Sequence, residues 1–93
     1  GLTKALAVDL GGRVRVNAIC PAAIDSQMLR EGFEGRSSSD LLLLHKCHPV
    51  GRIGQPSEVA ELALWLASAQ ASFVSGASYD IDGAISSRLH DPA

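Results

Sequence analysis

Apolar residues recur at helical spacing in two segments of the chain. Leucines four residues apart, among good helix formers, predict a helix over residues 1–10, and Gly11–Gly12 ends it. From Pro56 onward the apolar positions follow i, i+3, i+4 and i+7, with acidic residues in the first turns, which predicts a second helix over residues 56–69. The other flank of this helix is apolar as well, so we expect it to contact more than the sheet beneath it.

Two shorter stretches alternate apolar and polar residues, as β-strands do. Residues 13–20 alternate in this way and are rich in β-branched side chains, and residues 77–82 repeat the pattern before Gly83. Because Pro21 has no N–H to donate, we expect strand pairing to end there and the backbone groups of residues 22–26 to be free for another partner. A strand, a loop, a helix and a second strand form a crossover unit, whose strands are parallel. The predicted fold is α/β with a parallel sheet.

The segment between the first strand and the second helix is polar and contains glycine over residues 27–39, and then turns apolar at Leu41–Leu44. It predicts an inserted loop with one short helix. Ser37–Ser39 is interpreted as a solvated loop tip, because serines alone do not provide the backbone geometry of a phosphate cradle. The chain has no internal repeat and no linker, so residues 1–93 are predicted to lie in one domain, with an exposed tail at residues 87–93.

Composition narrows the classes of partner. The chain has 93 residues, 46% of them hydrophobic, and a formal net charge of −2 at pH 7. It has no basic run, so it lacks the positive surface that nucleic acid or an anionic membrane requires. No apolar stretch approaches the roughly 20 residues of a membrane span, and no leader sequence opens the chain, which predicts a cytoplasmic protein.

The sequence offers three groups of side chains that could bind a metal or act in catalysis, and none of them is a good candidate. The run His45–His48 supplies too few well-separated ligands, so we predict no metal site. Cys20 lies on a predicted strand and fits a small buried side chain better than a nucleophile, and we expect no disulfide with Cys47. Asp80 and Asp82 share one face of a strand, but Asp82 is better explained by a turn than by paired-carboxylate catalysis.

Four segments of the chain, taken together, carry a family resemblance. They are "GLTKALAVDL", "RVRVNAICPAAIDS", "HPVGRIGQPSEVAELALWLAS" and "SFVSGASYDIDGA". In order and spacing they resemble the carboxyl-terminal part of the short-chain dehydrogenase/reductase family, in particular its 3-oxoacyl-ACP reductase-like members. The resemblance implies the carboxyl-terminal fragment of a Rossmann-like, doubly wound parallel sheet. It also implies hydride transfer between NAD or NADP and a carbonyl or alcohol substrate.

The same resemblance implies where the cofactor lies. In the family, the loop after this strand lies under the nicotinamide ring. The backbone of Ile24 would then bond the nicotinamide carboxamide, and the hydroxyl of Ser26 would bond the same end of the cofactor. The residues implied to bind the cofactor are Pro21, Ala22, Ile24, Ser26 and Met28. The segment after them resembles the substrate-binding loop of the family, whose closure excludes water.

The resemblance assigns no catalytic residue within the chain. The glycine-rich turn, the catalytic serine and the Tyr-x-x-x-Lys pair of the family would precede Gly1, and Tyr79 has no lysine four positions on. Ala22 and Ala84 stand where the family has glycine. Where such a position needs a positive φ, alanine costs about 1 kcal/mol or more, and where the backbone is ordinary it costs nothing.

A non-catalytic interaction module derived from the same fold is the alternative function. This alternative is supported by the apolar second helix together with an open sheet edge. In the family the last helix and the last strand form a two-fold contact. The resemblance therefore implies a homo-oligomer that assembles through helix 56–69 and strand 77–82.

Overall fold

A computed structural model describes residues 1–88 of the chain, so most of the predicted tail, residues 89–93, lies outside the described part. The helices and strands are α1 (Leu2–Leu10), β1 (Ala18–Pro21), α2 (Gln27–Gly32), α3 (Ser38–Cys47), α4 (Pro56–Ala67) and β2 (Ser78–Ile81). Short 3-10 turns follow α4 at Ala69–Ala71 and β2 at Ile85–Ser87. The two helices predicted from apolar periodicity are confirmed, with α4 ending two residues earlier than residue 69.

The strands β1 and β2 pair in parallel. The N–H of Ala18 donates to the C=O of Ala77 at 2.9 Å, and the N–H of Ala22 donates to the C=O of Ile81 at 3.3 Å. Both partners advance along the chain in the same direction and by the same step, as in a parallel ladder. The prediction of an α/β fold with parallel strands is confirmed.

The strand β1 begins later and ends later than the alternation predicts. Residues 13–17 are not part of β1 although they alternate. The N–H of Val16 donates to the hydroxyl of Ser75 at 3.1 Å, and its C=O accepts from the N–H of Gly76 at 2.7 Å. Pro21 belongs to β1, and pairing continues to Ala22, so the expectation that pairing ends at the proline is wrong. Alternate residues face the partner strand, and the proline occupies a position whose missing N–H faces away from β2.

The described chain divides into two compact units. The first contains Gly1–Cys20 and Ser57–Tyr79, and the second contains Pro21–Pro56 and the chain from Asp80 onward. The single domain expected from the sequence stays a prediction.

In the first unit, side chains tie the segment before β2 to residues that precede β1. The amide of Asn17 donates from Nδ2 to the C=O of Val74 at 3.0 Å and accepts from the N–H of Ala77 at 3.1 Å. Arg15 donates to the C=O groups of Val74 and Ser68, both at 3.3 Å. These bonds satisfy backbone groups that lie outside the ladder.

The helix α4 buries one side and exposes the other. Leu66 is 8% exposed, whereas Leu64 is 73% exposed and Trp65 is 41% exposed. Apolar side chains on the second side of the helix are therefore exposed within the described residues, and the expected second contact stays a prediction.

In the second unit, serines begin both helices of the inserted segment. The Oγ of Ser26 accepts from the N–H of Leu29 at 3.2 Å, and the Oγ of Ser37 accepts from the N–H of Asp40 at 3.4 Å. The prediction of one short helix is wrong, since α2 and α3 both form, and Ser37–Ser39 is a helix start rather than a loop tip. The signal was present in the sequence, because a serine three residues before an aspartate is a helix-capping pattern.

Both cysteines are free thiols, as the sequence predicts. Cys20 is exposed, so the expectation of a small buried side chain is wrong: the last two residues of β1 are exposed and the first two are half-buried. No helix within residues 1–88 has the length and apolar character needed to cross a bilayer.

Candidate functional site

The second unit contains a cavity of about 520 Å³ at the carboxyl end of β1. All five residues that the family resemblance assigns to the cofactor line it, namely Pro21, Ala22, Ile24, Ser26 and Met28. The rest of the lining consists of Ala23, Leu29, Gly32, Phe33 and Arg36. The strand end, the following loop and α2 thus bring together residues that the sequence singles out separately.

Hydrogen bonds on both sides of Ile24 fix the direction of its peptide groups. The N–H of Gly54 donates to the C=O of Ala23 at 3.0 Å, and the N–H of Asp25 donates to the C=O of Gly54 at 2.8 Å. In such a parallel bridge the central residue turns its own N–H and C=O away from the partner. The C=O of Ile24 also accepts from the N–H of Ser26 at 2.7 Å, which tightens the loop there. Ile24 therefore presents a donor and an acceptor on the side opposite Gly54.

The expectation that the backbone groups of residues 22–26 bond a partner outside the sheet is wrong at Ala22, whereas Ala23 and Asp25 do bond another partner. Ala22 pairs with β2, and the groups on either side of Ile24 are bound by Gly54. Only part of the loop backbone is available to a ligand, because the remainder holds the loop in place.

Gly54 is a residue of the site that the sequence analysis missed. A Cβ built on it would lie 2.7 Å from Cδ1 of Ile24, closer than carbon atoms approach without displacement. A side chain at this position would therefore have to displace the end of the Ile24 side chain, and glycine avoids this contact. It lies far from Ile24 in the sequence, so no local pattern reveals the pairing.

Ser26 has two functions available to its hydroxyl group. The oxygen caps α2 by accepting from the N–H of Leu29. A hydroxyl group also carries a hydrogen that it can donate, and this donor remains for a ligand in the cavity. Capping holds the side chain in a fixed position at the wall.

The two alanines that replace family glycines differ in backbone conformation. Among residues 1–88, Ala84 is the non-glycine residue with a positive φ, at 72°. Ala22 is not in that region, so its Cβ is compatible with the backbone beside the cavity. Strain from replacing glycine arises at the turn after β2 and not at the cavity wall.

A charged pair lies beside the site, in the wall of a second cavity of about 410 Å³. Arg30 donates to both carboxylate oxygens of Asp25, from Nε at 2.8 Å and from a terminal nitrogen at 3.0 Å. This bidentate hydrogen bond lowers the pKa of Asp25 from its ordinary value and raises the pKa of Arg30. The pair remains ionised and largely cancels its own charge.

The cavity that holds the predicted cofactor residues carries one cationic side chain among its lining residues, Arg36. Its guanidinium carbon lies 5.3 Å from the ring centroid of Phe33, within range of a cation–π contact. Within residues 1–88 this guanidinium has no carboxylate in ion-pair contact.

Asp82 belongs to the turn that follows β2. Its carboxylate accepts from the N–H of Ala84 at 3.0 Å, from the N–H of Ser86 at 3.2 Å and from the hydroxyl of Ser86. These bonds, that of the Ser86 hydroxyl first, lower the pKa of Asp82. In the described part of the chain, no three His, Cys, Asp or Glu side chains are grouped as metal ligands would be.

In the comparisons with known proteins, the chain is similar to reductases and dehydrogenases. A family profile described as enoyl-(acyl carrier protein) reductase matches residues 1–86. Cyclohexanol dehydrogenase from Acinetobacter sp. (strain SE19) is 39% identical over 89 residues, which is 95% of this chain and 33% of that protein.

Solved structures are similar to the chain over most of its length. Thermoplasma acidophilum aldohexose dehydrogenase, in ligand-free form, has a TM-score of 0.87 and 37% identity, covering 100% of this chain and 40% of that one. The 3-oxoacyl-[acyl-carrier protein] reductase of Brucella melitensis ATCC 23457 has a TM-score of 0.77 and 42% identity, covering 89% of this chain and 30% of that one.

The chain spans about a third of the length of the curated relatives it matches, 33% for cyclohexanol dehydrogenase. The relatives named above are dehydrogenases and a reductase. These comparisons therefore give no support to a non-catalytic interaction module.

Proposed function

Because this chain belongs to the short-chain dehydrogenase/reductase family, we propose that it supplies the nicotinamide-side wall and the substrate-binding loop of an NAD(P)-dependent oxidoreductase. The reaction is hydride transfer between the nicotinamide and a carbonyl or alcohol carbon of a small substrate. One observation carries the proposal: five residues assigned by the family resemblance line a single cavity.

The residues of the cavity fit the nicotinamide end of the cofactor. A carboxamide has one acceptor and two donors, and Ile24 offers a backbone N–H and C=O on the side away from Gly54. The hydroxyl of Ser26 offers a further donor. Pro21 and Met28 provide apolar surface for the ring.

Positioning is the work that this chain contributes. The bound cofactor supplies the hydride chemistry, and the loop selects which face of the ring meets the substrate. The bridge to Gly54 restrains Ile24, and the cap of α2 restrains Ser26. Because both residues are ordered without a ligand, less conformational entropy is lost on binding. The helices α2 and α3 are the proposed substrate-binding loop, which excludes water from the reacting atoms.

A hybrid enzyme tests the proposal. The part of Thermoplasma aldohexose dehydrogenase that matches this chain is replaced by the 93 residues, and folding of the hybrid is checked by circular dichroism and thermal unfolding. We expect the hybrid to bind NADH or NADPH, measured by nicotinamide fluorescence. We expect Ser26→Ala to weaken that binding by about 2- to 10-fold, the contribution of one hydrogen bond.

Ser37→Ala is the matched control. Both serines cap a helix through the same bond to a backbone N–H, so both substitutions cost about 1 kcal/mol of stability. Only Ser26 lines the cavity. A folded hybrid that binds neither cofactor, or two substitutions with equal effects on cofactor affinity, would contradict the assigned site.

We also propose that the outer face of α4, together with β2, forms a contact between subunits. The exposed side chains of Leu64 and Trp65 support it, since apolar surface of this kind is usually covered in an assembly. We expect light scattering of the hybrid to show an oligomer, and Leu64→Glu to convert it to monomer without loss of helix content. A monomer at high protein concentration before the substitution is made excludes this contact.

A further inference from the structure

Resting on the proposed function, we propose that the substrate of this site is a small organic acid, whose carboxylate or other anionic group binds Arg36 while its carbon chain contacts Leu29 and Phe33. The inference concerns the class of substrate rather than the reaction. It comes from the distribution of charge around the cavity.

The cavity lining is mostly small or apolar, and Arg36 is the charged side chain among its lining residues. Its lining residues other than Arg36 carry no ionisable side chain, and Ser26 contributes the one hydroxyl group among them. A neutral, apolar substrate would need no cation in this wall. A guanidinium beside an apolar surface favours a ligand that is apolar along its body and anionic at one end.

The charge of Arg36 is available, whereas that of Arg30 is not. The guanidinium of Arg30 already donates two hydrogen bonds to the carboxylate of Asp25. The neighbouring acid Glu31 accepts from the amide of Gln27 at 3.0 Å. Within residues 1–88, Arg36 therefore keeps its N–H donors without an acidic partner.

The contact with Phe33 restrains the guanidinium beside the cavity. The aromatic ring attracts the charge of the guanidinium without being a carboxylate or carbonyl acceptor, so the N–H groups of Arg36 remain available as donors. Those groups match the two oxygens of a carboxylate, or those of a phosphate or sulfonate. Phe33 and Arg36 both line the cavity, so the anionic end of the ligand and its apolar body contact adjacent side chains.

Levulinate and its neutral amide, levulinamide, provide the test in the hybrid enzyme. Both are ketones of nearly equal size, and they differ in the charge at one end. We expect Arg36→Gln to lower kcat/KM for levulinate by about 10- to 100-fold, mainly through KM, as the loss of a hydrogen bond to a charged group does. We expect levulinamide turnover to change less than about twofold, and Arg36→Lys to recover part of the levulinate activity.

Arg13→Gln is the control, because it removes the same charge from an exposed residue that does not line the cavity. Calorimetric titration of levulinate alone measures the Arg36 contact in the absence of hydride transfer, so the outcome does not depend on turnover. Equal levulinate affinity in the Arg36→Gln variant and the unsubstituted hybrid, or equal losses for both ketones, overturns the inference. Failure to bind NAD(P)H, with Arg36-dependent levulinate binding retained, instead overturns the proposed function.

Discussion

Gly54→Val is expected to lower the turnover of the hybrid by about 100-fold or more, although residue 54 does not line the cavity. A Cβ at this position would lie 2.7 Å from Cδ1 of Ile24, and valine adds two methyl groups beyond it. Backbone bonds to Ala23 and Asp25 hold residue 54 against the loop, so the loop itself must move. A displacement of about 1 Å in a positioning element costs on the order of 100-fold in rate.

Comparing alanine with valine at residue 54 distinguishes a clash with the loop from a general loss of stability. Cδ1 of Ile24 is the end of a flexible side chain, so Gly54→Ala is accommodated by rotation of that side chain and is expected to lower turnover less than about threefold. Gly12→Val is the control, because its Cβ would meet no atom within 4 Å. Full turnover and unchanged cofactor affinity in Gly54→Val would show that the bridge does not position Ile24.

Local periodicity was sufficient to predict the elements whose patterns are continuous. Leucine spacing predicted α1, and the i, i+3, i+4, i+7 pattern predicted α4. The crossover rule then gave parallel strands without any tertiary information, since the connection fixes the direction. These predictions rest on rules that act within one element or between consecutive ones.

Contacts between residues far apart in the chain could not be predicted from sequence patterns. The bridge between Ile24 and Gly54 joins two loops, and neither loop has a repeating pattern. The contact between Arg36 and the ring of Phe33 depends on how the chain turns after α2, which ends at Gly32. Exposure of Cys20 depends on what covers β1, which is a property of the whole sheet.

The five site residues were predicted from a motif, and the structure adds the reason for their proximity. A strand end, a bridged loop and a capped helix follow one another within residues 18–32, so the motif forms one wall. The sequence predicted one short helix in the inserted segment and did not place it, because the apolar residues of α3, Leu41–Leu44, are consecutive and give no helical period. Its serine cap was the remaining signal.

Gly83→Ala is expected to destabilise the chain by about 2–4 kcal/mol, the combined cost of a left-handed backbone and an overpacked contact. Gly83 has a φ of 58°, and a Cβ there would lie 2.7 Å from Cγ2 of Val50 and 3.4 Å from Cβ of His48. Val50 is β-branched, so its methyl group cannot rotate freely out of the way. His48 is 3% exposed, so the side chain behind the contact has little room to yield.

Ala84→Gly, at the next position, is expected to act in the opposite direction. Ala84 has a φ of 72° and is exposed, so glycine relieves backbone strain there and should stabilise the chain by about 0.5–1 kcal/mol. Urea unfolding of the 93-residue chain, followed by circular dichroism, measures both substitutions through the shift of the midpoint. Two shifts of the same sign would contradict the assignment of strain in this turn.

A double substitution separates the two costs at Gly83. Val50→Ala removes the methyl group that a Cβ at residue 83 would meet, so the contact between the two side chains disappears while the positive φ remains. We therefore expect Gly83→Ala to cost only about 1–2 kcal/mol in a Val50→Ala background, the price of the left-handed backbone alone. An unchanged cost in that background would place the whole effect in the backbone. The turn after β2 would then tolerate a Cβ against Val50.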